Sequence, residues 1–251
     1  MKMTHHLIGW TESQAAATLT QVAALVDQSV STSGDDIFVP EEFASLGGVF
    51  AGGTTISQAQ ITAPSLRKTI QQDVSPINIG AEPLSPPDFM DMFDNPRPLT
   101  PGEGLRARVA QGSGGAEYEH VLAFLVGDTT PVTGGEIFTV RCTSTTTLTA
   151  YAWSLCTLTF SQQLEAGRYA VVGMKAISAG AIAARLVLAG ESHRPGVIGC
   201  DAESDFDIAK FRNGGLGNWG EFDHTYPPQV EFLSVSADTA EVVYLDLVKI
   251  S

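Results

Sequence analysis

From residue 37 onward Gly, Pro and Thr interrupt the chain so often that only short extended segments fit between the breaks. Twelve runs rich in Val, Ile, Thr, Tyr and Phe lie there, at 37–39, 54–62, 74–79, 105–110, 118–126, 136–142, 147–153, 156–160, 169–177, 181–188, 230–235 and 241–250. Runs of this length and spacing predict an all-β sandwich or barrel. In the last, Val243, Leu245 and Leu247 share one face, while Val242, Tyr244, Asp246, Val248 and Ile250 share the other. Apolar residues on both faces predict a strand buried, or nearly so, on two sides.

Residues 11–30 read differently. Leu19, Val22, Ala23, Val26 and Val30 fall on one face of a 3.6-residue period, Thr11 or Ser13 is available as a cap, and Gly34 follows the end. The expectation is an N-terminal helix, covering its own domain or lying along a neighbouring subunit or a membrane surface. Further on, Pro86-Pro87 and Pro96-Arg97-Pro98 mark an extended connector, since proline cannot donate to a ladder. A second irregular stretch runs over residues 190–228 and is far longer than a sandwich turn requires. Its aromatic residues Phe211, Trp219, Phe222 and Tyr226 are candidates for an interface between subunits, centred on Trp219.

Charge bounds the partners. With 28 Asp and Glu against 14 scattered Lys and Arg, the formal net charge is −14 and no basic patch or arm is visible. Direct nucleic-acid binding is therefore not expected. No run approaches the ~20 apolar residues of a membrane-spanning helix, and Thr11 and Glu12 stand where a secretory signal would be apolar. Cys142, Cys156 and Cys200 form no Cys-x-x-Cys pair and are expected as buried thiols.

Motifs for chemistry are weak. Gly215-Leu-Gly-Asn-Trp-Gly220 matches the dinucleotide fingerprint, but Glu221-Phe-Asp-His-Thr-Tyr-Pro-Pro228 after it cannot begin the helix on which a pyrophosphate would sit. A glycine-rich loop around a packed Trp219 is the simpler reading. Asp201, Glu203, Asp205 and Asp207 alternate along the chain and would repel one another unless solvated or shared by a calcium-like cation. Gly-x-Ser-x-Gly and His-Glu-x-x-His are absent, and Asp223-His224 is the only acid–histidine neighbour pair. No cofactor and no reaction are expected.

Leu99-Thr-Pro-Gly-Glu-Gly-Leu105, Thr157-Leu-Thr-Phe160 and Leu164-Glu-Ala-Gly-Arg-Tyr-Ala-Val-Val-Gly173, followed by a strand that closes the chain, resemble in their organisation the jelly-roll major capsid proteins of tailless icosahedral viruses. The resemblance covers residues 36–251 and carries no diagnostic motif. It implies a jelly-roll fold, doubled if residues 36–128 form one barrel and 129–251 a second behind a helical arm at 1–35. The alternative is a single jelly roll over 102–251. It further implies a virion subunit assembled in the host cytoplasm: a homotrimer that closes into an icosahedral shell with other capsid or vertex proteins, and with possible contact to an internal membrane through the N-terminal helix. The competing reading is a carbohydrate-binding or virion-attachment β-sandwich, with Trp219, Phe222 and Tyr226 gripping sugar rings.

Overall fold

The computed structural model describes residues 2–53, 55–66, 72–74, 78–79, 90–112, 115–129, 132, 135–200, 211–212 and 217–251. The chain divides into two compact units, Leu7–Gly127 and a second formed by Asp128–Ser251 with Met1–His6. The fold is all-β. Among the described residues the one helical element is the 3-10 turn Glu41–Phe43.

The expected N-terminal helix is not formed. Lys2–Gln14 is a 13-residue strand, and Thr20–Val22 is a short strand antiparallel to Gly104–Gln111. The helical stripe is not a buried face either: Val22 is fully buried, whereas Val26 is 90% exposed. In a window this short, 3.6-residue spacing of small apolar residues arises without a helix, and pairing partners elsewhere in the chain outweigh a weak local preference. A membrane contact through a helix at this end loses its basis.

In the second unit, one sheet runs in the order Ile137–Ser144, Glu241–Lys249, Arg168–Ile177, Gly220–Asp223, and the other Trp153–Cys156, Gln229–Ser234, Ala181–Val187, Gly196–Ile198. Counted along the chain these are the first, eighth, third and sixth strands of the unit, then the second, seventh, fourth and fifth. Short strands Thr159–Phe160 and Phe211–Arg212 extend the first sheet. With the short strands Thr20–Val22, Thr32–Ser33 and Asn78–Ile79 set aside, the last of these parallel to Ser45–Gly53, and Met90–Asp91 and Arg97–Pro98 counted as one, the other unit repeats the order. Lys2–Gln14, Glu117–Thr129, Ser45–Gly53 and then Met90–Asp91 with Arg97–Pro98 form one sheet. Asp36–Phe38, Gly104–Gln111, Ile56–Thr62 and Gln72–Val74 form the other.

Each pair of sheets encloses one core, as alternation along the strands requires. Ile8, Trp10, Val49, Val121 and Ala123 from one sheet of the first unit meet Val22, Ile37, Ile61, Leu105 and Val109 from the other. In the second unit Val140, Val171, Val243, Leu245 and Leu247 face Ala184, Leu186, Val230 and Phe232. Each such side chain contributes ~1.5–3 kcal/mol on burial. The predicted face of the last strand is the one in this core, and Asp246 and Val248 on its opposite face are buried as well.

Candidate functional site

The segment 190–228 is not one long loop. Within it, Gly196–Ile198 pairs with Ala181–Val187, and both Phe211–Arg212 and Gly220–Asp223 pair with Arg168–Ile177. This pairing carries Trp219 inward: its N–H donates to Val171 O at 2.9 Å, and its indole is fully buried in the core. Phe222 is also buried and stacks on Tyr169 at 5.7 Å, while Tyr226 is 70% exposed. Of the aromatic residues expected at a subunit interface, Trp219 and Phe222 are therefore interior to their own unit and Tyr226 is on the surface. The backbone of Phe211 pairs with Met174. Asp201, Glu203, Asp205 and Asp207, the expected cation ligands, lie outside the described residues.

Around Trp219 a polar network holds the chain in place. The His5 ring meets the indole edge-on at 4.6 Å, with Nε2 lying 2.9 Å from Gly196 N and 2.8 Å from Gly196 O. Burial lowers the pKa of His5 to about 3, opposed by the Gly196 bond and helped by nearby His193, so His5 is neutral at physiological pH. His193 Nε2 lies 2.7 Å from Trp219 O. Asn218 Oδ1 accepts from Gly220 N at 3.0 Å, and its Nδ2 donates to Glu221 Oε1 at 3.1 Å. Arg168 Nη2 donates to the other oxygen of Glu221 at 2.7 Å. Beside the network opens a cleft of about 440 Å³ walled by Arg168, Glu191, Asn218, Glu221, Asp223 and Tyr226.

This arrangement explains the glycine motif without a nucleotide. Gly217 has φ +78° and Gly220 φ +153°, and Gly220 opens a strand, not a helix. A Cβ on Gly220 would run into Leu188 Cδ1. The glycine is thus needed for close packing and for its backbone conformation. Gly220→Ala should cost roughly 1–3 kcal/mol, seen as a lower midpoint in urea unfolding. An unchanged midpoint would refute this account.

The neighbours Asp223 and His224 meet, with His224 Nδ1 3.2 Å from Asp223 Oδ1. Asp223 Oδ1 accepts from Thr225 Oγ1 at 2.6 Å and Thr225 N at 2.9 Å, and these bonds hold its pKa below the usual carboxylate range. His224 Nδ1 accepts from Gly167 N at 3.2 Å. His224 Nδ1 thus lies between the Gly167 N–H and the Asp223 carboxylate. All three cysteines are buried, and burial pushes the Cys142 thiol up to about 12.

Several buried ionisable side chains escaped the sequence reading, Arg185, Glu119 and Glu241 among them. Arg185 is buried, donates through Nε to Glu231 at 2.7 Å and lies 4.0 Å over the Trp153 ring. Glu119 and Glu241 are fully buried, one near the start of the last long strand of each unit. Burial raises each to about pH 7. Arg185 and Glu119 sit in ordinary alternating strand positions and Glu241 follows a turn, so nothing in the sequence distinguished them from solvated charges.

No family model and no curated protein matches the chain. Among solved structures, it is similar to the crystal structure of the major capsid protein P2 from bacteriophage PM2, with 8% identity over 99% of this chain and 98% of that one and a TM-score of 0.23.

Proposed function

We propose that this chain is a double jelly-roll capsid subunit, one that forms homotrimers and closes into an icosahedral shell, rather than an enzyme. The observation that carries the reading is the strand order repeated in both units. Among the eight principal strands of each, the first pairs with the eighth, the second with the seventh, the third with the sixth and the fourth with the fifth. A jelly roll requires this order, because two Greek keys wrap four antiparallel pairs around one core. The doubling within one chain is what favours a shell subunit over a single-barrel lectin.

A trimer of such subunits presents six barrels in a ring and suits a position with six neighbours in a closed shell. Fivefold positions do not fit a six-barrel ring, and other capsid or vertex proteins would fill them. The net charge of −14 accords with a shell that does not hold its genome by neutralising phosphate. The chain would then reside in the virion after assembly in the host cytoplasm.

Sedimentation velocity over a concentration series, with electron micrographs of the same samples, tests this. The expected result is a trimer at low concentration and closed shells at high concentration. A monomer throughout the series would overturn the proposal.

A further inference from the structure

We propose that the cleft beside Trp219 binds a neutral sugar, with the exposed ring of Tyr226 as the stacking surface and Glu191 and Asn218 as partners for the sugar hydroxyls. Its volume of about 440 Å³ is in the ~300–1,000 Å³ range of small-molecule sites.

Tyr226 is 70% exposed, yet its backbone is fixed, because its N–H donates to Asp223 O at 2.8 Å in the turn after the strand Gly220–Asp223. A flat apolar ring held at the rim of a polar cleft matches a pyranose, which has an apolar face and a periphery of hydroxyls. Preorganisation matters here, since a weak stacking contact is lost if binding must first order the loop.

The charges argue for a neutral ligand. Three carboxylates, Glu191, Glu221 and Asp223, line the cleft against one guanidinium, Arg168, which disfavours an anion. Two of the three are already engaged: Glu221 by Arg168 and Asn218, and Asp223 by Thr225. Each carboxylate also has a nitrogen neighbour, Arg168 for Glu221 at 2.7 Å, His224 Nδ1 for Asp223 at 3.2 Å and His193 Nδ1 for Glu191 at 3.6 Å, which compete with an organic cation. Fixed acceptors and an amide remain, which suit hydroxyls that both donate and accept.

Saturation-transfer difference NMR on the full chain tests the proposal. The probes are glucose, galactose, mannose and N-acetylglucosamine at millimolar concentration, with choline as the cationic control and N-acetylneuraminic acid as the anionic one. The expected result is transfer to the ring protons of at least one neutral sugar. In Tyr226→Ala that binding should weaken roughly tenfold or more, with the thermal midpoint unchanged because the ring is exposed. Absence of transfer to every neutral sugar overturns the proposal, as does transfer undiminished in Tyr226→Ala or stronger transfer to either charged control. None of these outcomes depends on the assembly state, so this inference and the shell reading fail separately.

Discussion

Trp219→Ala should destabilise the unit containing Asp128–Ser251 by ~3–5 kcal/mol while leaving the sedimentation coefficient of the surviving folded protein as it is in the wild type. The indole is fully buried, sits in the same core as Tyr169, Leu186 and Val230, and meets the ring of His5 edge-on. Removing it leaves a cavity that the surrounding sheets cannot fill, because Trp219 is fastened to Val171 through its own backbone and so holds the strand edge in place. An aromatic anchor at an interface would behave in the opposite way, losing association before stability. Thermal melting paired with sedimentation velocity separates the two. A variant that dissociates yet melts like the wild type would refute the core assignment.

A second large effect concerns pH. Glu119 and Glu241 should make both units less stable as the solution becomes alkaline, and Glu→Gln at either position should remove that unit's share of the loss. Glu119 is packed with Thr55, Gln111 and Gly53, and Oε1 accepts from Thr55 Oγ1 at 3.3 Å and from Gln111 Nε2 at 3.2 Å. Its Oε2 has no partner among the described residues, and Glu117 adds like charge. Around Glu241 the backbone N–H groups of Glu241 and Ala240 favour the charged form and Asp238 adds like charge. Burial is the main cause in both cases and favours the neutral carboxyl.

Each folded carboxyl keeps its proton until about pH 7, whereas in the unfolded chain it ionises near 4.5. The native state therefore binds more protons between these values. The contribution to stability is fully present below pH 4.5, falls as pH rises and is lost above 7. The loss is on the order of 3 kcal/mol for each residue, or roughly 6–12 °C in melting midpoint. At pH 4 the Gln variants should match the wild type, and at pH 8 they should melt higher. Identical midpoints at pH 8 would show that these carboxylates ionise without cost.

Much of the β architecture is legible in the sequence. The strands Gly104–Gln111, Glu117–Thr129, Arg168–Ile177, Ala181–Val187, Gln229–Ser234 and Glu241–Lys249 all coincide, within a few residues, with runs rich in β-branched and aromatic side chains. Pleating turns alternation of residue type into alternation of face, so a local pattern suffices to identify such segments. Ser45–Gly53 was missed for a physical reason. Its sequence Ser-Leu-Gly-Gly-Val-Phe-Ala-Gly-Gly reads as a turn, yet it is a central strand paired with Glu117–Thr129. A side chain at Gly47 would strike the Phe93 ring, and one at Gly53 the Glu119 carboxyl. Those glycines answer to neighbours distant in sequence, and local propensity cannot register them.

The sequence by itself determined the strand-rich composition, the faces of the longest strands and the acidic net charge of −14. Only the tertiary structure decided that Lys2–Gln14 is a strand, that Trp219 faces inward while Tyr226 faces out, and that Glu119 and Glu241 are stripped of water. Alternation says which residues share a face, but burial of a particular atom depends on which distant strand comes to lie beside it. For these groups that partner is set by pairings such as Glu119 opposite Gly53 and Ser144 opposite Glu241. The desolvation that follows is a property of the packed sheets, not of the residues along the chain.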